Sequence, residues 1–339
     1  MFCGAGGLTR GLLDAGITVR KGFDINEKFK ETYEKNNEGA EFIAKDVAEV
    51  TREDVLQNID LKDNYLLLAG CAPCQPFSAI NKQNSEKDKR KSLLLEFGRL
   101  VQQTKPDFIF IENVPGLANG KGRKIFDEFK SGLDALGYHS VYKIVDAKQY
   151  GVPQKRKRLI LLASTKGIVD FPAPTHGRGE GLAPYRTVRE AISKYPVLRD
   201  GSFHSEVINH QAGALSPINK ERLKLTKKNG GSRKDLPKRL VLKCHLKHRG
   251  HHDVYGRMRW DDVAPTLTCR CTHITNGRFG HPTQTRGVSV REAAALQTFS
   301  DEYTFYGTFT LNTLMVGNAV PPLLAKKIGA VFSSVASDS

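Results

Sequence analysis

Long apolar runs are scarce in this 339-residue chain. Its best, such as Tyr65 to Ala69 and Leu159 to Ala163, are strand-sized, far short of the roughly 20 residues that a membrane-spanning helix needs. Cysteine is scarce too. Six cysteines without regular spacing exclude a small disulfide scaffold and suit a reducing interior. The first residues lack the apolar core of a signal peptide, because glycines and an arginine interrupt it at once. The expected location is therefore the cytoplasm. No internal repeat is present, so a solenoid is excluded. Acid is the other shortage: 36 Asp and Glu stand against 52 Lys and Arg, a net charge of +16, which points to a polyanionic partner. What remains is ordinary for a folded enzyme. The chain is 39% hydrophobic and 8% aromatic, enough for roughly two domains and a substantial core.

The positive charge is concentrated in one stretch. Residues 171–285 hold 21 Lys and Arg against 9 Asp and Glu, an excess of 12, together with nine of the ten histidines. A solvated face would account for any one basic run, such as Lys227-Lys228 or Lys238-Arg239. The whole segment reads as a phosphate-contacting module, because clustered cations gain from counterion release. The flanks read differently. Residues 1 to about 165 alternate short apolar strands with amphipathic helices, the pattern of an α/β fold with a doubly wound, mostly parallel sheet. Strands are expected over 17–23, 41–44, 65–69, 108–111, 140–145 and 159–163. Helices are expected over 8–15, 26–35 with Asn26 as N-cap, 92–103 and 124–136, and again over 290–299 and 322–332. The polar run 81–91 reads as a mobile loop.

Four motifs carry chemistry. Phe2-Cys3-Gly4-Ala5-Gly6-Gly7 is a glycine turn feeding a helix, where backbone can approach a ligand and N–H groups are free. Asp24 and Asp46 end the next two strands. Each alone reads as a helix cap or turn acid, but with the glycine turn they favour an adenosine-containing cofactor. The second motif is Gly70-Cys71-Ala72-Pro73-Cys74-Gln75-Pro76-Phe77-Ser78. Cys71 and Cys74 could be a redox pair or half a zinc site. A second C-x-x-C is absent and Pro76 opposes a following helix, so a nucleophilic Cys74 with a packed Cys71 is the better reading. Third, Glu112 stands at the mouth of the apolar strand Phe108 to Ile111, where a neutral, proton-donating acid and an ordinary strand-end Glu paired to a lysine are equally good readings of the residue by itself. Fourth, in Gln154-Lys155-Arg156-Lys157-Arg158 alternation puts Gln154, Arg156 and Arg158 on one strand face, suited to an anion or polar ligand.

These four motifs are followed, in order, by Arg291-Glu292-Ala293-Ala294-Ala295-Leu296-Gln297-Thr298-Phe299 and Gly317-Asn318-Ala319-Val320-Pro321-Pro322. The series of six resembles the cytosine-C5 DNA methyltransferases of bacterial and phage restriction-modification systems, across nearly the whole chain. The resemblance implies an S-adenosylmethionine-dependent, Rossmann-like domain of residues 1–170 and 286–339, and a target-recognition domain of residues 171–285. It implies Cys74 as nucleophile, Glu112 on the Watson–Crick edge of cytosine, and Arg156 supporting the flipped base with Arg158 beside it. Phe2, Gly4, Gly6, Asp24, Asp46, Pro73 and Asn318 match positions lining the cofactor pocket. Gln75, Ser78, Arg257, Arg259 and Arg270 are expected at the DNA. Double-stranded DNA is the implied partner of a monomeric enzyme, functionally paired with a cognate restriction endonuclease.

The chemistry fits these residues on its own terms. Cytosine C5 is a poor nucleophile until a thiolate adds at C6, and a protonated acid at N3 stabilises the charge that develops. The base must leave the duplex to be reached. Two departures from the family pattern stand out. Phe2 follows Met1 directly where the family has several apolar residues, so that either the start is trimmed or the first strand is short, and Ser300 stands where proline is commoner. Cys244, His245, His248, His251, His252, Cys269 and Cys271 lie in the recognition segment, but their spacing matches no standard zinc site, so no metal is expected. A tRNA cytosine-C5 methyltransferase would share the catalytic motifs; the Cys-Phe-Thr element such enzymes carry is missing here. A catalytically silent DNA-binding relative is the reading from another class, and intact Cys74, Glu112 and Arg156 oppose it.

Overall fold

In the computed structural model of the protein, residues 1–73, 93–120, 122–247 and 253–338 are described. They divide into two compact units. The first comprises Met1–Asp146, Lys157–Ala173 and Leu324–Ser339, and the second comprises Ala147–Arg156 and Pro174–Leu323. Residues 286–323, assigned with the cofactor domain from the sequence, thus fall in the second unit.

The first unit is built on strands β1 (Lys21–Asp24), β2 (Glu41–Ala44), β3 (Leu67–Gly70), β4 (Phe108–Asn113), β5 (His139–Asp146) and β6 (Lys157–Ser164). β1 pairs parallel with β2, and β3 parallel with β4; β4–β6 and β6–β5 are antiparallel. Between β1 and β3 runs the N-terminal tripeptide. Cys3 N–H donates to Phe23 O (3.0 Å) on one side, and Met1 donates to Ala69 O (2.7 Å) on the other. Residues 1–3 thus link the two halves of the sheet.

β4 is buried along its whole length, and Leu159 to Ala163 of β6 are fully buried. Strands covered on both faces read as continuous apolar runs, which is why these two were legible in the sequence. The covering helices are α1 (Gly7–Asp14), α2 (Lys30–Asn36), α3 (Arg52–Leu56), α4 (Leu93–Thr104), α5 (Gly116–Asn119) and α6 (Arg123–Ala135). Phe97 of α4 and Phe129 of α6 meet edge-on (6.2 Å) over the sheet, within one apolar core.

The second unit carries α7 (Val188–Ile192), α8 (Pro217–Leu225), α9 (Lys243–Lys247), α10 (Val290–Leu296) and α11 (Phe309–Asn318). No strand of the named sheets belongs to it; extended segments meet in isolated bridges such as Arg257–Gly280 and Gln154–Ala264. The last helix, α12 (Pro322–Asp338), returns to the first unit, where Phe332 packs on Phe108 (5.5 Å) and Phe110 (6.2 Å). By length and hydropathy the stretch Phe309–Ala336 matches a membrane crossing, a match the sequence reading had excluded. It is two helices, α11 and α12, and the extended backbone of Ala319 ends the first of them.

Candidate functional site

In the first unit the glycine turn delivers Gly6 (φ 86°) as the N-cap of α1. Gly4 lies just before it, and a Cβ built on Gly4 would meet nothing within 4 Å, so open space lies over this turn. Asp24, at the end of β1, accepts from the N–H groups of Gly4 (2.9 Å) and Asn26 (3.0 Å). Burial pushes its carboxyl up, and those two amides offset part of the push. Ile25, the next residue, is 71% exposed, an aliphatic side chain beside the acid that sequence reasoning missed. Its signal is the loss of alternation where β1 ends. Asp46 caps the short turn after β2 through Ala48 N–H (3.0 Å), so the capping reading weighed for it describes one of its oxygens. Phe2 packs against the apolar core, Cys71 is half-buried rather than packed away, and Pro73 is half-buried. Cys74, Gln75, Ser78 and the loop 81–91 lie outside the described residues.

Glu112 is 7% exposed at the end of β4. Arg158 of β6 brings Nε to 2.8 Å from Glu112 Oε1. This is a close ion pair off the hydrogen-bonding direction, since Oε1 accepts no hydrogen bond among the described residues. The neighbouring Asn113 donates through Nδ2 to Ala72 O (3.0 Å), tying the mouth of β4 to the loop that leads into Cys74.

The second unit gathers the other motifs. Gln154 Nε2 donates to Gln297 Oε1 (2.7 Å), and Gln154 Oε1 accepts from Leu267 N–H (2.8 Å). Gln297 Nε2 in turn donates to Val316 O (2.7 Å). Arg156, 3% exposed, donates to Leu267 O (2.9 Å) and Ala319 O (3.0 Å). This corrects the expected strand over 154–158 with three side chains on one face. β6 begins at Lys157, because Lys155 N–H has turned aside to Ala264 O (2.8 Å), and Arg156 is committed to backbone carbonyls. Only Arg158 of the two arginines stands by Glu112. Gly317 is required by close approach, since a Cβ there would run into the Thr268 carbonyl, and Asn318 beside it is exposed.

Of the arginines expected at DNA, Arg257 is corrected. It is 1% exposed and donates to Leu223 O (2.8 Å), Thr226 O (3.1 Å), His281 O (2.9 Å) and Gln284 O. Burial lowers its pKa to about 10, which leaves it cationic at neutral pH. With four N–H groups spent on carbonyls it braces the unit and cannot read a base edge. Arg259, with its side chain 60% exposed, and Arg270, also exposed, remain at the surface.

Comparison with known proteins identifies the family. The C-5 cytosine-specific DNA methylase family matches residues 1–334. Type II methylase M.HgiDII of Herpetosiphon aurantiacus is 40% identical, over 97% of this chain and 92% of its own length. Type II methyltransferase M1.HphI of Haemophilus parahaemolyticus is 32% identical over 97% and 84%. Two solved structures share the fold at low identity. A protein encoded within an E. coli prophage gives a TM-score of 0.76 at 22% identity over 98% and 97% of the two chains. The S. pombe Dnmt2 methyltransferase gives 0.63 at 19% over 99% and 97%. With its motifs in order and its whole length matched, this chain belongs to the C-5 cytosine-specific DNA methylases.

Proposed function

We propose that the protein methylates C5 of a flipped-out cytosine in a specific duplex DNA sequence, with Cys74 adding covalently at C6. The observation that carries this reading is the mouth of β4. There a buried Glu112 is held by Arg158 at 2.8 Å, while Asn113 anchors Ala72, two residues before Cys74. The residues at the glycine turn fit an adenosyl group. Open space over Gly4 admits it, Asp24 can take ribose hydroxyls, and exposed Ile25 offers apolar surface to a flat ring. Phe2, Gly6, Asp46 and Pro73 complete the part of the proposed pocket that the first unit supplies, and Asn318 is the residue of the second unit that the family pattern assigns to the cofactor. S-adenosylmethionine would supply the electrophilic methyl group.

The chain's own groups do the rest. The Cys74 thiolate attacks C6 and makes C5 electron-rich, while Glu112 gives a proton to N3. After methylation a base removes the C5 proton, the C6–S bond breaks, the thiolate leaves, and N3 returns its proton to Glu112. Arg158 orients Glu112, and Arg156 positions the segments that carry Leu267 and Ala319. Residues 171–285, with Arg259 and Arg270 exposed, act as the recognition module, and Gln75 and Ser78 act at the DNA. Since the named relatives are Type II enzymes, we infer a restriction-modification setting in the bacterial cytoplasm, with a cognate endonuclease and a monomeric methylase.

The test is incubation with tritiated S-adenosylmethionine and, separately, mixed duplex DNA and tRNA, with a 5-fluorocytosine duplex to trap the adduct. Label in DNA and an adduct lost in Cys74→Ala are expected. Glu112→Gln should lower methylation by roughly 10²- to 10⁴-fold, the range of a general acid. Label only in tRNA, or an adduct that survives in Cys74→Ala, would overturn the reading.

A further inference from the structure

We propose that Arg259 reads a guanine edge of the DNA target and that Gly230 is the seat that aims it; this rests on the proposed action on specific duplex DNA. In the extended stretch ending at Trp260, Arg257 and Met258 are each 1% exposed, whereas the Arg259 side chain is 60% exposed. Its backbone neighbours are pinned on both sides. Arg257 N–H donates to Gly231 O (3.0 Å), and Met258 N–H donates to Gly280 O (2.8 Å).

Gly230 has φ +110°, a conformation that side chains resist, and a Cβ there would stand 2.5 Å from Arg259 Cγ and 2.9 Å from Cδ and run into Nε. The aliphatic stem of Arg259 therefore lies flat on bare backbone, and that contact sets the direction of the guanidinium. The turn beneath is itself locked. Asn229 N–H donates to Pro282 O (2.8 Å), and Asn229 Oδ1 accepts from Trp260 N–H (2.7 Å). Arg278 Nη1 donates to Gly230 O (2.8 Å) and Gly231 O (2.9 Å).

The charges around Arg259 leave its donors available. Asp262 is 3.9 Å away and 56% exposed, a pair that water screens and DNA can displace. Asp261 is already bound to Arg189 (2.7 Å), and Asp235 accepts from backbone amides of its own turn. Exposed Lys227 and Lys228 precede the seat, suited to phosphates. A guanidinium fork matches O6 and N7 of guanine, and one held in place before DNA arrives loses little side-chain freedom on docking.

The experiment offers wild type, Arg259→Gln, Arg259→Lys and Gly230→Ala a pool of duplexes of randomised sequence and reads the sequences around each methylated cytosine. Wild type should show guanine preferred at one position above all. Arg259→Gln should lower discrimination at that position roughly ten- to a hundredfold, and Arg259→Lys should not restore it, because an ammonium has no fork. Gly230→Ala should weaken the same position and leave the others unchanged. Both Arg259 variants alter an exposed side chain, so the test stands on them if Gly230→Ala fails to fold, which its melting curve reports. An unchanged sequence profile in Arg259→Gln overturns the inference. So does a uniform loss on all sequences that lysine rescues, the signature of a phosphate contact. Absence of methylated DNA from the wild-type reaction would instead strike the proposed function.

Discussion

The first unit and the second are held together by different physics. In the first, a sheet is sandwiched by helices, and its centre is wholly apolar: Ile109, Phe110, Leu161 and Phe97 are fully buried. The second has no such sheet. Its small apolar cluster gathers Leu223, Leu236, Leu240, Tyr255 and Ile274, and guanidinium groups do much of the bracing. All six arginines buried among the described residues lie in this unit: Arg156, Arg222, Arg233, Arg257, Arg286 and Arg291. Arg286 forks onto Glu292 through two bonds of 2.7 Å, and Arg291 reaches Ile208 O (2.8 Å), Ser300 O (2.8 Å) and Tyr303 O (2.7 Å). A chain with little regular structure leaves many carbonyls unpaired, and a planar cation with five N–H groups can satisfy several at once. The lesson is that a basic segment is not all surface. Arg222, Arg233 and Arg257 belong to the stretch 171–285 whose charge pointed to DNA, yet they are spent inside it.

The comparison breaks most directly at Arg286. Arg286→Met would leave Glu292 buried without its partner, and the expected loss is about 3–5 kcal/mol, whereas adding Glu292→Leu should recover most of it. Urea unfolding followed by Trp260, the chain's single tryptophan, reports on this unit, since its ring meets His281 edge-on at 5.3 Å. A single variant that loses less than about 1 kcal/mol, within the range of an exposed pair, would sink the strut picture.

The next effect is acid sensitivity. Burial lowers His281 to about 4, so between the ordinary value of 6.5 and about 4 the unfolded chain binds the proton and the folded chain does not. Stability therefore falls with pH through that window, by about 2 kcal/mol from pH 7.5 to pH 5. Burial pushes Glu292 up, but the hydrogen bonds and charge of Arg286 outweigh it and hold the carboxyl below its usual range, so its contribution is lost in acid too. A Trp260 transition with the same urea midpoint at pH 7.5 and pH 5 would count against this.

Smaller changes sharpen the contrast from the other side. Ile111→Val in β4 should cost about 0.5–1.5 kcal/mol by removing one methyl group from an apolar core, with no dependence on pH, as circular dichroism melts at two pH values would show. Smallest of all, Lys35→Ala breaks the exposed Glu31–Lys35 pair (2.8 Å) on α2. It should change stability by under about 0.5 kcal/mol, and that only at low salt.

Legibility followed burial pattern. β2 was read at its true ends, and helices α1, α4 and α6 within one residue, because one-faced periodicity marks them. The first strand was read four residues too early, since Ile17 N–H closes the end of α1 on Leu12 O (3.0 Å) and pairing begins at Lys21. The helix after Ser289 was read too long: Gln297 caps it and Thr298 takes a left-handed conformation (φ 68°). At the proposed site, Glu112 stands out in the sequence by its place at the end of an apolar strand. Arg158 was named as one of a facing pair, and only the fold showed that it alone meets Glu112.

The sequence by itself determined the order of the motifs, the chemical types at each and the apolar strands that carry the sheet, because these depend on residues near one another along the chain. Which arginine braces and which faces solvent was decided by tertiary structure alone. Arg257 and Arg259 are two residues apart in one extended stretch, and alternation cannot separate them. What separates them is the set of carbonyls from Leu223, Thr226, His281 and Gln284 that surrounds the first, and the bare backbone of Gly230 beneath the second. Those partners are distant in sequence, and only folding brings them to the two side chains.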